Sequence, residues 1–97
     1  IFSIMSESKG IMGLKIKIMP TSPSVDLEAI KNEAKKIVEK GNGYNREYVE
    51  EPIAFGLKAI IAFFEWPEEK PLEELENKFK AIKDVSSIDI IDMRKIA

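Results

Sequence analysis

Hydrophobic and polar positions alternate from Leu14 to Met19, with Leu14, Ile16 and Ile18 on one side and Lys15 and Lys17 on the other. Successive side chains of an extended chain point to opposite faces, so this pattern predicts a strand with one buried face. Pro20, with no N–H to offer a ladder, predicts its end. The turn-like run Thr21-Ser22-Pro23-Ser24 supplies hydroxyls suited to capping a helix, and apolar residues then recur at Leu27, Ile30, Ala34, Ile37 and Val38. That spacing places them along one helical face. Gly41-Asn42-Gly43 predicts the stop and turn.

Between Tyr44 and Ile53, Tyr44, Arg46 and Tyr48 alternate with Asn45, Glu47 and Val49, which predicts a second, less buried strand at a sheet edge. Glu51-Pro52-Ile53-Ala54-Phe55-Gly56 sets a Pro and a Gly around an aromatic and predicts a loop. The segment Leu57 to Trp66 is apolar on both parities, as expected of a strand in the sheet centre. Trp66-Pro67 breaks it, and Pro71 suits the first position of a second helix. Leu72, Leu75, Phe79 and Ile82 form the stripe of that helix. Glu73, Glu74 and Glu76 at its start and Lys78, Lys80 and Lys83 at its end complement the helix dipole. Ile88 and Ile90 then fall on one parity and Ile91 and Met93 on the other, so the last strand has either two apolar faces or a bulge.

The element order is βαββαβ. Two interleaved right-handed β–α–β units give a four-stranded antiparallel sheet with both helices on one face, the ferredoxin-like α+β sandwich. On this topology the last strand is an edge, and the tail Met93-Arg94-Lys95-Ile96-Ala97 is expected to project from the sheet. The 97 residues suffice for one domain. Residues 1–11 precede Met12-Gly13 and the first clean strand pattern, so they are expected to be an extension, a vector remnant or an upstream start, with the folded domain at 12–97.

Composition removes most enzyme chemistry. With no Cys and no His, thiolate nucleophiles, imidazole bases, disulfides and zinc fingers are excluded. Fifteen Lys and Arg against seventeen Asp and Glu give a net charge of −2 without a basic block, so direct nucleic-acid binding is not expected. The apolar run through Ile60 and Phe64 falls far short of the roughly 20 residues that cross a bilayer, and no membrane association is expected. Cytoplasmic residence is the default expectation.

The acidic pairs Glu50-Glu51, Glu68-Glu69 and Asp89-Asp92 lack the spacing of a calcium loop and suit solvated faces. Gly41-Asn42-Gly43 follows a helix and precedes a strand, the reverse of a dinucleotide-binding turn. No cofactor, no metal and no catalysed covalent step are expected. RNA-recognition modules share the topology, but Ile53-Ala54-Phe55-Gly56-Leu57-Lys58-Ala59-Ile60 puts its Phe-Gly in a loop and lacks the second stacking aromatic. Phe63, Phe64 and Trp66 suit a core better than a base-stacking surface. An RNA-binding module and a small-molecule regulatory domain remain alternatives, because the topology alone assigns no function.

Four segments together narrow the choice: Lys17-Ile18-Met19-Pro20, Val25-Asp26-Leu27, Glu51-Pro52-Ile53-Ala54-Phe55-Gly56-Leu57 and Val85-Ser86-Ser87-Ile88-Asp89. Over residues 12–97 the chain resembles the archaeal translation elongation factor 1-beta family, with the Pro-x-x-Phe-Gly loop as the most specific feature. The resemblance implies a guanine-nucleotide exchange factor that binds elongation factor 1-alpha, loosens GDP and lets GTP replace it.

It further implies that Lys95, before the hydrophobic Ile96, approaches the partner's bound magnesium. Phe55, flanked by Pro52 and Gly56, would pack against the GTPase, and Arg94 would lie in the same contact as Lys95. Arg94 stands where eukaryotic members carry a neutral amide, Ala97 extends the chain by one residue, and Ala54 replaces a usual Gly. From the residues alone Phe55 has two possible places, folded back over the core or turned outward.

Overall fold

A computed structural model describes residues 10–96. The chain order is β1 (Ile11–Pro20), α1 (Leu27–Lys40), β2 (Tyr44–Pro52), a single 3-10 turn (Ala54–Gly56), β3 (Lys58–Pro67), α2 (Leu72–Lys80) and β4 (Val85–Lys95). The strands form one sheet in the order β2-β3-β1-β4, with every neighbouring pair antiparallel. This is the ferredoxin-like α+β arrangement that the pattern predicts, with β3 central and β2 and β4 at the edges.

Register explains the core. Leu14 sits opposite Phe64, Ile16 opposite Ala62 and Ile18 opposite Ile60. Directly opposed residues share a face, and all six are fully buried together with Ile30, Ala34 and Val38 of α1 and Leu75 and Phe79 of α2. Both helices therefore cover one face, and among the described residues no second layer lies on the other. Phe64 bridges the helix-side packing, edge-on to Trp66 at 6.3 Å between ring centroids and tilted against Phe79 at 5.8 Å. Each fully buried side chain of this size contributes about 1.5–3 kcal/mol.

The cap of α1 is not one of the expected hydroxyls. Asp26 Oδ1 accepts the Glu28 N–H at 3.0 Å, while the Ser22 and Ser24 hydroxyls bond to each other. A capping side chain must precede the first helical residue directly to reach the N–H groups of the first turn, and only Asp26 does so. Lys31 then fastens α1 to β2, its ammonium donating to Glu28 and Glu50 at 3.0 Å each. Tyr48 Oη donates to Asn45 Oδ1 at 2.6 Å, and Asn45 Nδ2 donates to the Lys35 carbonyl at 3.2 Å.

In the turn after α1, the left-handed position is Asn42, with φ 66°, and neither glycine. The glycines are needed for a close approach. A Cβ on Gly41 would stand 2.2 Å from Trp66 Cη2, and one on Gly43 would stand 2.6 Å from the Glu65 carbonyl. The helix end is thus laid directly on the indole of β3.

Two expectations about the chain ends change. β1 starts at Ile11, and the Gly10 carbonyl accepts the Glu68 N–H at 2.9 Å, so Gly10 and Ile11 close the end of the sheet; the rest of the expected extension, residues 1–9, lies outside the described residues. Nor does the tail project. Leu14 pairs with Met93, Gly13 with Arg94 and Met12 with Lys95, and the Ile96 N–H donates to the Ile11 carbonyl at 2.9 Å. The outer edge of β1 offers unpaired backbone groups along its whole length, and the tail satisfies them; Ala97 is outside the described residues.

The split parity of β4 is resolved by a bulge. Lys15 pairs with Asp92 and Ile16 with Ile90, leaving Ile91 unmatched. The extra residue returns Ile90 and Met93 to one face and leaves Ile91 47% exposed.

Gly41→Ala is expected to lower stability by about 1–3 kcal/mol in urea denaturation through overpacking, and by clearly less in a Trp66→Phe background; equal costs in both backgrounds would contradict the indole contact. Burial, with a smaller contribution from the charge of Glu39, raises the Tyr48 phenol above its ordinary value, and hydrogen bonds to Glu50 and then Glu28 raise Lys31. Above about pH 10 the unfolded chain releases these protons while the folded chain keeps them, so stability falls with rising pH. Denaturation curves across pH 8–12 should show this fall, and Tyr48→Phe should flatten it.

Candidate functional site

The residues singled out by sequence fall at two separate places. The first is the loop joining β2 to β3. Pro52 pairs with Lys58 at the end of the β2 ladder, and the loop is closed by Ile53 N–H to the Leu57 carbonyl at 2.8 Å and Leu57 N–H to the Ala54 carbonyl at 3.2 Å. This closure forces two consecutive left-handed residues, Phe55 with φ 60° and ψ 31° and Gly56 with φ 75°. Gly56 is there for its conformation alone, since a Cβ would meet nothing within 4 Å.

For Phe55 the same conformation costs about 1–2 kcal/mol. The side chain recovers nothing by packing, being 92% exposed. Of the two places the residues allowed, the ring takes the outward one.

The second place is the end of β4. Arg94 lies opposite Gly13 and donates to Asp92 at 3.2 Å. Ile96 folds over Gly13, whose missing side chain leaves room for it, with Ile96 Cγ2 3.6 Å from where a Cβ would stand. It stays 49% exposed. Lys95, opposite Met12, points to the other face, and its ammonium rests 3.5 Å from Glu68 Oε1. A pair this exposed is worth at most about 1 kcal/mol, so Lys95 can leave Glu68 at little cost when a stronger field is offered.

These two groups are not brought together. From Lys58 to Trp66 the sheet runs roughly 26 Å at about 3.3 Å per residue, and β2 and β4 are three strand spacings apart, roughly 14 Å. Phe55 and Lys95 occupy diagonally opposite corners, about 30 Å from each other. At that separation the two side chains cannot act together on one atom. Among the described residues no three acidic side chains gather where a metal ion could be held, and no helix is long and apolar enough to cross a membrane.

One region went unnoticed in the sequence. Phe63, grouped there with the core aromatics, lies half-buried on the face without helices, opposite Lys15, whose ammonium stands 5.7 Å from the ring centroid; only Phe64 and Trp66 are core. The signal was present in parity, because Lys15 and Phe63 alternate with residues that face the helices.

Comparison with known proteins places the chain in a family. Residues 14–96 match the family model described as the EF-1 guanine nucleotide exchange domain. Relatives named elongation factor 1-beta include one from Methanocaldococcus jannaschii, 41% identical over 80 residues that cover 81% of this chain and 90% of the relative. Another, from Methanosarcina barkeri, is 38% identical over 88 residues covering 90% of this chain and 99% of the relative. Among solved structures, the C-terminal domain of the MgtC protein from Mycobacterium tuberculosis aligns with TM-score 0.68 at 10% identity over 90% of this chain and 89% of that one.

The ACT domain from GTP pyrophosphokinase of Chlorobium tepidum aligns with TM-score 0.57 at 14% identity, covering 81% of this chain and 96% of its own. Identities this low speak to the fold alone. With the family pattern running from the first core residue of β1 to the last described residue of the tail, and with relatives matched over nearly their whole length, this chain belongs to the elongation factor 1-beta family.

Proposed function

We propose that the chain is a guanine-nucleotide exchange factor for elongation factor 1-alpha, acting in the cytoplasm by binding and without a covalent step. The observation that carries this reading is Phe55, an aromatic ring 92% exposed on a left-handed backbone. A ring held outward at conformational cost is fixed before the partner arrives, and a rigid, desolvated aromatic is the kind of side chain that dominates an interface. Pro52 and Gly56 fix the entry and exit of its loop, and Phe55 enters an apolar recess of the GTPase.

At the opposite corner Ile96 and Arg94 seat the end of β4, and Lys95 supplies the charge. Magnesium and phosphate hold GDP largely by electrostatics. A unit positive charge about 4 Å from a divalent cation is repelled by about 8 kcal/mol at an effective dielectric of ~20, before desolvation is subtracted. The ammonium also competes with the metal for anionic partners. Among the described residues, the ion pair that Lys95 gives up is the one with Glu68.

Exchange further requires that the factor bind the nucleotide-free GTPase better than the GDP-bound form, since equal affinity shifts nothing. A direct RNA role is not favoured, because the uncovered sheet face mixes Lys15, Lys17, Arg46 and Arg94 with Glu47, Glu51, Glu65, Asp89 and Asp92 and offers no continuous track for phosphates.

Release of a fluorescent GDP from elongation factor 1-alpha at near-physiological magnesium tests the reading: this chain should accelerate it, and no acceleration by a folded pair would overturn it. Lys95→Ala is expected to cut the stimulated rate at least tenfold with an unchanged melting curve, Lys95→Arg to retain part of it, and an unchanged rate in Lys95→Ala would remove the lysine role. Phe55→Ala should weaken complex formation by roughly tenfold or more, and Phe55→Gly should weaken it likewise while raising thermal stability slightly through relief of the left-handed strain. Full affinity in both Phe55 variants would exclude the anchor.

A further inference from the structure

The two corners constrain what a partner touching both must cover. Phe55 follows the edge strand β2 and Lys95 ends the opposite edge strand β4. A body lying along either edge reaches one corner only. A continuous contact with both must therefore cross one face of the sheet, passing over β3 and β1.

The two faces differ in what they offer. Among the described residues the exposed large hydrophobic side chains are Ile11, Tyr44, Val49, Phe55, Ile91, Met93 and Ile96; none belongs to α1 or α2, and Met93, opposite Leu14, is on the helix side of β4. Where α1 and α2 form the surface, it is polar and charged. On the helix-free face, Val49 stands opposite Ile61 and Glu47 opposite Phe63, while Lys15 is paired with Phe63 across to β1.

Two shallow depressions lie along this diagonal and share Lys15 and Phe63. One, of about 220 Å³, is lined by Glu47, Val49 and Ile61 as well. The other, of about 210 Å³, continues through Gly13, Asp92, Arg94 and Ile96. The half-buried apolar strip thus runs into Arg94 and Ile96 of the second corner, while Lys95 points to the opposite face and reaches a partner on this one only past the end of β4.

We infer that the helix-free face of the sheet is itself part of the surface that binds the GTPase, with Phe63 and Lys15 at its centre and the strip from Val49 and Ile61 to Ile96 joining the two corners. This rests on the exchange-factor reading and extends it from two end contacts to one continuous interface. Its mixed charges and modest apolar strip suit a folded protein partner: a phosphate backbone would meet five carboxylates there. Phe63 is central and half-buried, a position typical of residues that dominate binding. Lys15, exposed above its ring, is placed to find a carboxylate on the partner.

The test measures affinity for nucleotide-free elongation factor 1-alpha by titration calorimetry, with stimulated GDP release in parallel. Phe63→Ser and Lys15→Glu should each weaken binding by roughly 10- to 30-fold, with circular dichroism and melting showing the fold retained. Lys36→Glu, on the helix side, should bind as wild type.

Wild-type affinity in Lys15→Glu and in a folded Phe63→Ser would overturn this inference while leaving the exchange reading intact, whereas a wild-type chain that neither binds nor stimulates would overturn the reading itself. Should Phe63→Ser unfold the chain, Lys15→Glu and the more conservative Val49→Ser decide the matter, since both positions are exposed. Dissociation of a homodimer by these changes, without loss of GTPase affinity, would assign the face to a second copy and contradict the proposal.

Discussion

The double pairing of β1 is the interaction on which the structure turns. Its inner edge bonds to β3 and its outer edge to β4, so one strand fixes the register of both. Leu14, Ile16 and Ile18 key that register into the helices, because a slip of one residue would put them on the open face and Lys15 and Lys17 in the core. Both corners that carry the candidate residues are positioned at second hand from this. The tail holds Arg94, Lys95 and Ile96 in place by pairing with Gly13, Met12 and Ile11, and β3 carries the loop of Phe55 to the other end.

The same construction explains why neither helix covers the second face. Both helices follow right-handed crossovers and land on one side, where Phe64, Trp66 and Phe79 fill the space between them and the sheet. The helix-free face then needs side chains that tolerate water without a covering layer. Lys15 over Phe63, Lys17 with Glu51 and Arg46 with Glu65 meet that need with cations laid over apolar or acidic neighbours.

Much of this was legible in the sequence because it depends on local periodicity. The strand at Leu14, the stripe of α1 and the double-sided apolar pattern of β3 each follow from spacing alone, and the interleaved topology follows from their order. What was not legible depends on distant contacts. Gly41 and Gly43 look like ordinary helix-stop glycines, and only the position of Trp66 shows that they make room for an indole while Asn42 takes the left-handed turn.

The tail, read as free, is captured by backbone groups of β1, which leave no mark in side-chain pattern. Phe63 and Phe64 are adjacent and alike, and only register tells that one faces the helices and the other the open side. The strain at Phe55 is likewise set by closure of its loop between two paired strands. Its sequence neighbourhood announced a turn but not the outward ring.

The central claim is that this domain acts by binding one nucleotide state of its partner more tightly than another. Titrating the chain into elongation factor 1-alpha, once nucleotide-free and once saturated with GDP, measures this directly. The account predicts markedly tighter binding to the nucleotide-free form, with an affinity ratio equal to the factor by which the chain weakens GDP binding. Equal affinity for the two forms would contradict it.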